Sequence, residues 1–217
     1  MCLLQGIDAA APAAVTGTLR RDPSRPVRPE RPNTGKPTTP LLEGNAVERA
    51  GAFQFKGEVT LVGPELRVGD QAPAFTAIGN DLSTVDSRTF AGKVRIISSV
   101  PSLDTGVCDT QTRKFNEAAA SLGDEVVVLT ISADLPFAQK RWCGNAGVDR
   151  VITLSDYRDH AFSKAYGTYI KEWALCSRAV FVVDRNDRLV HVEYVPVAGQ
   201  EPNYDAALEA ARAALKA

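Results

Sequence analysis

Two apolar, β-branched runs, residues 94–100 and 126–131, bracket a stretch with helical rather than alternating periodicity. A run with no polar face must be covered on both sides of a sheet, which commits the chain to a layered interior. Between the runs, Phe115, Ala118, Ala119 and Leu122 fall on one side of a helix over 107–122, and Gly123-Asp124 ends it. Strand, helix and strand in this order make a parallel pair joined by a crossover.

The other segments extend that unit. Residues 53–56 and 58–62, joined across Gly57, read as a hairpin closed by Gly63-Pro64. Residues 68–73 read as irregular chain and 75–78 as a short strand, with Asn80-Asp81 turning into 83–86. After the second buried strand, Asp134 is the expected cap of a helix with Pro136 just inside it, running through Trp142-Cys143 to Gly144. A strand at 151–154 and a helical patch at 159–166 follow, while the stretch around Trp173 carries no readable period. Strand 179–183 turns through Asp184-Arg185-Asn186-Asp187 into 189–195, and Tyr204, Leu208, Ala211 and Leu215 share a face of the last helix. The expected class is α/β, a thioredoxin-like fold: a central mixed sheet flanked by helices, with an N-terminal β-hairpin.

The first fifty residues are of another kind. They hold 7 of the 13 prolines and no Phe, Tyr or Trp. Such a segment cannot bury enough apolar area to offset its ordering entropy. Residues 1–50 are therefore expected to be a disordered Pro/Arg-rich leader and 51–217 a single domain. The leader has 7 basic and 5 acidic residues and the remainder 18 and 21, so neither half shows the basic excess of a nucleic-acid binder. No stretch reaches transmembrane length, and Asp8 and Pro12 break what apolar character the N-terminus has. The expected location is cytoplasmic. Cys2, Cys108, Cys143 and Cys176 make no Cys-x-x-Cys pair, and the two histidines, His160 and His191, supply no close ligand pair. A metal is not expected.

Cys108 stands out within this frame. The first buried strand feeds the loop that starts at Pro101, and the loop delivers Cys108 to the beginning of a helix. There the free backbone N–H groups and the positive end of the helix dipole favour thiolate over thiol. A lone cysteine is more often a small buried hydrophobe. Pro101 and Thr105 reverse that reading. Thr105 occupies the place of the first sulfur in a Cys-x-x-Cys motif, and its hydroxyl can both donate and accept as bonds change. Pro101 lacks an N–H and fixes φ, which suits shielding of the sulfur from water. Asp109 opposes ionisation of its neighbour and is expected to point to solvent.

The spacing Pro101-x-x-x-Thr105-x-x-Cys108 resembles the active-site signature of the peroxiredoxins. The string from Val100 to Cys108 is similar to the thiol peroxidase subfamily in particular, as are those from Ser132 to Cys143 and from Ser177 to Asp184. The likeness covers residues 53–217, and Val47 to Phe53 resembles the usual beginning of that family, so the residues before it are a departure. The resemblance implies that Cys108 is the peroxidatic cysteine and Cys143 the resolving one. They would form an intrasubunit disulfide that thioredoxin reduces. It also implies a hydroperoxide substrate, a homodimer and no cofactor, because the cysteine itself carries the two electrons. Arg178 would supply a permanent positive charge to the pocket. Both cysteines are expected to sit inside helical turns, so their pairing would require local unwinding.

The remaining candidates have plainer expectations. Cys176 reads as structural, Cys2 as an exposed incidental thiol, and His160 and His191 as surface or packing residues. Trp142 and Trp173 read as core or interface. Three other function classes remain open at this point, one of them a pure binding module on a thioredoxin-like fold, which would leave the spacing of Pro101, Thr105 and Cys108 unexplained. A redox sensor would oxidise Cys108 without sustained peroxide turnover. A protein thiol-disulfide oxidoreductase would need the Cys-x-x-Cys pair that is absent.

Overall fold

A computed structural model of the chain describes residues 47–216. The expected leader falls on residues 1–46 and lies outside the described residues, as does Cys2. The N-terminal hairpin consists of β1 (Glu48–Gln54) and β2 (Glu58–Val62), paired antiparallel with a register shift between Ala50 and Phe53. Its first strand starts ahead of the boundary expected at residue 50. Glu48 and Arg49 give no apolar signal, yet Glu48 pairs with Lys171 at 2.7 Å and Arg49 donates to the Gly167 carbonyl.

Three parallel strands carry the central sheet: β5 (Val94–Ser99), β6 (Val126–Ser132) and β7 (Val151–Ser155). The short strands β3 (Thr76–Ile78) and β4 (Thr84–Asp86) add antiparallel beyond β7. Past β5 come β10 (Ala179–Val183) and β11 (Leu189–Tyr194), also antiparallel. The order is β11-β10-β5-β6-β7-β3-β4, the mixed sheet expected from the sequence.

Four helices cover it: α1 (Gly106–Ala119), α2 (Pro136–Ala146), α3 (Ala161–Ala165) and α4 (Tyr204–Ala214). Successive side chains of a strand face opposite ways, so each inner strand feeds two cores. Val94, Ile96, Val128 and Val180 meet Phe115 of α1, Trp142 of α2 and Ala211 of α4. Ile97, Leu129, Ile131 and Phe181 meet Phe162 of α3 and the adjacent Tyr166.

Several local expectations need correction. Asp134 does not cap α2: the N-cap position is Leu135, with no side-chain hydrogen bond there. Helix α2 passes Gly144 and ends at Ala146, because Gly147 takes the left-handed conformation (φ 65°) and donates its N–H to the Cys143 carbonyl. The stretch around Trp173 is a small hairpin, β8 (Tyr169–Ile170) and β9 (Leu175–Cys176), attached to β2 in a second, four-stranded sheet. Its strands are too short for an alternation to register, and its turn places Ala174, not glycine, at φ 51°. Among the described residues, no helix is long and apolar enough to cross a membrane.

Candidate active site

Strand β5 ends at Ser99, and the loop from Val100 to Thr105 is held at two points before α1 begins. Val100 donates its N–H to the Ile131 carbonyl at 3.0 Å, continuing the sheet ladder by one residue. Asp134, two residues beyond β6, then accepts from Ser102 Oγ (2.7 Å) on one oxygen, and from Leu103 N–H (2.8 Å) and Ser132 Oγ (2.8 Å) on the other. The carboxylate expected to start α2 thus fixes the Cys108 loop to the neighbouring strand. Pro101 is buried at the head of that loop.

Thr105 has extended backbone (φ −109°, ψ 145°) and stands at the N-cap of α1, but its side chain makes no cap bond. Its Oγ1 lies 2.9 Å from Cys108 Sγ and 3.0 Å from the Ser102 carbonyl oxygen. A hydroxyl carries one proton and two lone pairs. It donates to the sulfur, or donates to Ser102 and turns a lone pair toward the sulfur. Cys108 occupies the first turn of α1 with no exposed surface.

Arg178 reaches the same sulfur from β10's leading end. One of its terminal nitrogens donates to Cys108 Sγ at 3.3 Å and to the Ala198 carbonyl at 2.9 Å, while the other donates to Gln111 Oε1 at 2.5 Å. Gln111 in turn donates to Ser98 Oγ at 2.8 Å. The guanidinium is 1% exposed and has no carboxylate within ion-pair distance among the described residues. A buried cation demands a compensating acceptor. Of its three acceptors, only the sulfur can bear a full negative charge. Glu201 contributes at longer range: its carboxyl is held below the usual range, chiefly by Lys114 and Tyr204 and to a smaller extent by Arg178.

Cys143 is buried in α2, with Sγ 3.4 Å from Thr153 Oγ1, and belongs to the same core cluster as Cys108. Neither sulfur is in a disulfide. Asp109 does not point freely to solvent, contrary to expectation. Its oxygens accept from Arg113 Nε (2.8 Å) and Trp142 Nε1 (3.0 Å). Cys176 is fully buried on β9, and burial pushes its thiol well above the ordinary range. Trp142 packs in the core, but Trp173 is half exposed against the edge of Phe55.

Sequence reasoning missed Gln111 and misplaced Asp134. Gln111 has a signal: it falls on the buried side of α1 with Cys108, Thr112 and Phe115, where a long polar residue requires a partner. Asp134 has no comparable signal, since two of its three partners, Ser102 and Leu103, lie on another loop. Among the described residues no three His, Cys, Asp or Glu side chains gather where they could hold a metal ion.

A sulfur out of water, with an arginine donor and a hydroxyl able to donate to it once it is ionised, is arranged to act as a nucleophile and to stabilise charge on an atom bound to it. The likeness to known proteins agrees. Residues 67–208 match the redoxin family. The thiol peroxidase of Halalkalibacterium halodurans is 60% identical over 165 residues, 76% of this chain and 99% of that protein. The thiol peroxidase of Bacillus subtilis is 59% identical over 163 residues, 75% and 97% respectively. Among solved structures, a peroxiredoxin-like protein from Aquifex aeolicus superposes with a TM-score of 0.68 at 40% identity, covering 73% of this chain and 93% of that one.

Proposed function

Because the chain belongs to the redoxin family, in its thiol peroxidase branch of the peroxiredoxins, and is a thiol-dependent peroxidase, we propose a catalytic cycle carried by Cys108 and Cys143. The Cys108 thiolate attacks the terminal oxygen of hydrogen peroxide or an organic hydroperoxide. The S–O bond forms as the O–O bond breaks, and water or an alcohol leaves. Sulfur supplies both electrons and becomes a sulfenic acid. Arg178 and Thr105 hold the sulfur and stabilise charge as it moves to the leaving oxygen, while Pro101 screens the pocket.

Cys143 then attacks the Cys108 sulfenic sulfur, giving an intrasubunit disulfide and water. A dithiol reductant, thioredoxin in this reading, restores both thiols by disulfide exchange. Each sulfur starts inside its helix, so the first turn of α1 and part of α2 unwind for the pairing. The reading further takes residues 51–217, with the strand residues just before them, as one peroxidase domain that acts in the cytoplasm as a homodimer.

One observation carries the assignment: the Thr105 hydroxyl at 2.9 Å and the buried Arg178 guanidinium at 3.3 Å both reach Cys108 Sγ. The test is peroxide consumption with thioredoxin and its reductase supplied. Wild type should turn over repeatedly, Cys108→Ser not at all, and Cys143→Ser should stop after one equivalent. Sustained turnover by Cys108→Ser would refute the cycle.

A further inference from the structure

The two cysteine-bearing helices are tied together by a contact that attack on peroxide does not use. Asp109, one residue past Cys108, accepts the Trp142 indole N–H at 3.0 Å on one oxygen and the Arg113 Nε–H at 2.8 Å on the other. Trp142 immediately precedes Cys143 and is 8% exposed. Arg113 closes the cluster. Its guanidinium carbon lies 5.7 Å from the Trp142 ring centroid, and it donates to the carbonyl of Ala146, the last residue of α2, at 2.9 Å. The neighbours of both sulfurs therefore meet on one carboxylate.

Asp109 belongs to the same turn as Cys108, and its N–H bonds to the Thr105 carbonyl at 2.9 Å. Unwinding that turn carries the carboxylate away and strips the buried indole N–H of its acceptor. A buried donor without a partner is costly, so opening α1 lowers the cost of opening α2. While the turn is intact, the same bonds hold α2 closed at Trp142 and at its last residue.

We propose that Asp109, Arg113 and Trp142 are positioning residues for the resolving step, a latch that keeps Cys143 helical until the Cys108 turn unwinds. This inference rests on Cys108 and Cys143 being the peroxidatic and resolving pair. The step it governs is the one in which the Cys143 sulfur bonds to the Cys108 sulfur, the S–O bond breaks, and the hydroxyl leaves as water with the Cys143 proton. The latch takes no part in breaking the O–O bond.

Trp142→Phe keeps an aromatic ring and removes the N–H. After one equivalent of hydrogen peroxide, rapid quenching and mass spectrometry separate the reduced, sulfenic and disulfide forms of the full chain in time. Trp142→Phe should form the sulfenic acid within about twofold of the wild-type rate, while conversion to the disulfide accelerates about tenfold, or ~1.4 kcal/mol. Asp109→Ala should accelerate the conversion similarly. The double variant should be no faster than Asp109→Ala alone, because that change already removes the Trp142 contact together with the Arg113 one. Conversion that is unchanged or slower in the single variants, or accelerations that multiply in the double, would overturn the latch. A wild type that forms sulfenic acid but never the 108–143 link would instead refute the cysteine pair, and the latch with it.

Discussion

Cys108 has two donors on its sulfur and no surface in water, and each donor reaches it by a different route. Thr105 arrives through the loop, from three residues away. Its contribution is testable in isolation: Thr105→Val should slow Cys108 oxidation by about 10- to 100-fold, the effect of losing one hydrogen bond to an ionised group. Thr105→Ser should restore most of the rate. Second-order rate constants with hydrogen peroxide measure both, and an unchanged rate in Thr105→Val would remove Thr105 from the proposed chemistry. The placement of Thr105 beside the sulfur was legible in the sequence because it shares one short loop with the cysteine. Arg178 was not legible by spacing at all. It lies 70 residues away, and only the family resemblance nominated it before the fold put its nitrogen 3.3 Å from the sulfur. Gln111, which fixes the other arm of that guanidinium, passed unnoticed as one more helical residue.

Among elements, the loop before α1 depends on β6 as much as on its own sequence. Asp134 accepts three hydrogen bonds from Ser102, Leu103 and Ser132. Asp134→Ala leaves those donors without their acceptor and should cost about 3 kcal/mol, read as a lower urea midpoint at unchanged slope. An unchanged midpoint would mean that the loop is held by its backbone alone. The elements themselves divide by how local their signals are. The strands β5, β6 and β10 were readable because five or more buried residues in succession leave little alternative. The β8–β9 hairpin was unreadable because its existence depends on β2, which supplies the pairing partners Leu61 and Val62. Asp134 is the intermediate case: an acid before Pro136 has the look of a helix cap, and a tertiary contact took it instead.

For the whole molecule, the sheet brings together three stretches that are remote in sequence: the Cys108 loop, α2 with Cys143, and the strand led by Arg178. The N-terminal hairpin is part of the same domain. Compared with a chain beginning at Val47, one beginning at Gly51 loses the pairings of Glu48, Arg49 and Ala50 with β2 and the Glu48–Lys171 ion pair. It also loses the Arg49 guanidinium, which lies 5.0 Å from the Tyr194 ring centroid. That loss should lower Tm by about 10 °C, from several small terms of a few kcal/mol in total. Equal melting temperatures would place the domain boundary at residue 50, as composition alone suggested. The central claim, that one sulfur attacks peroxide and another resolves it within the same chain, is tested most directly by non-reducing peptide mapping after a single equivalent of hydrogen peroxide. The account predicts one intrachain link, between Cys108 and Cys143, with Cys176 still a thiol. A link to Cys176, or reduced Cys108 after the peroxide is consumed, would contradict it.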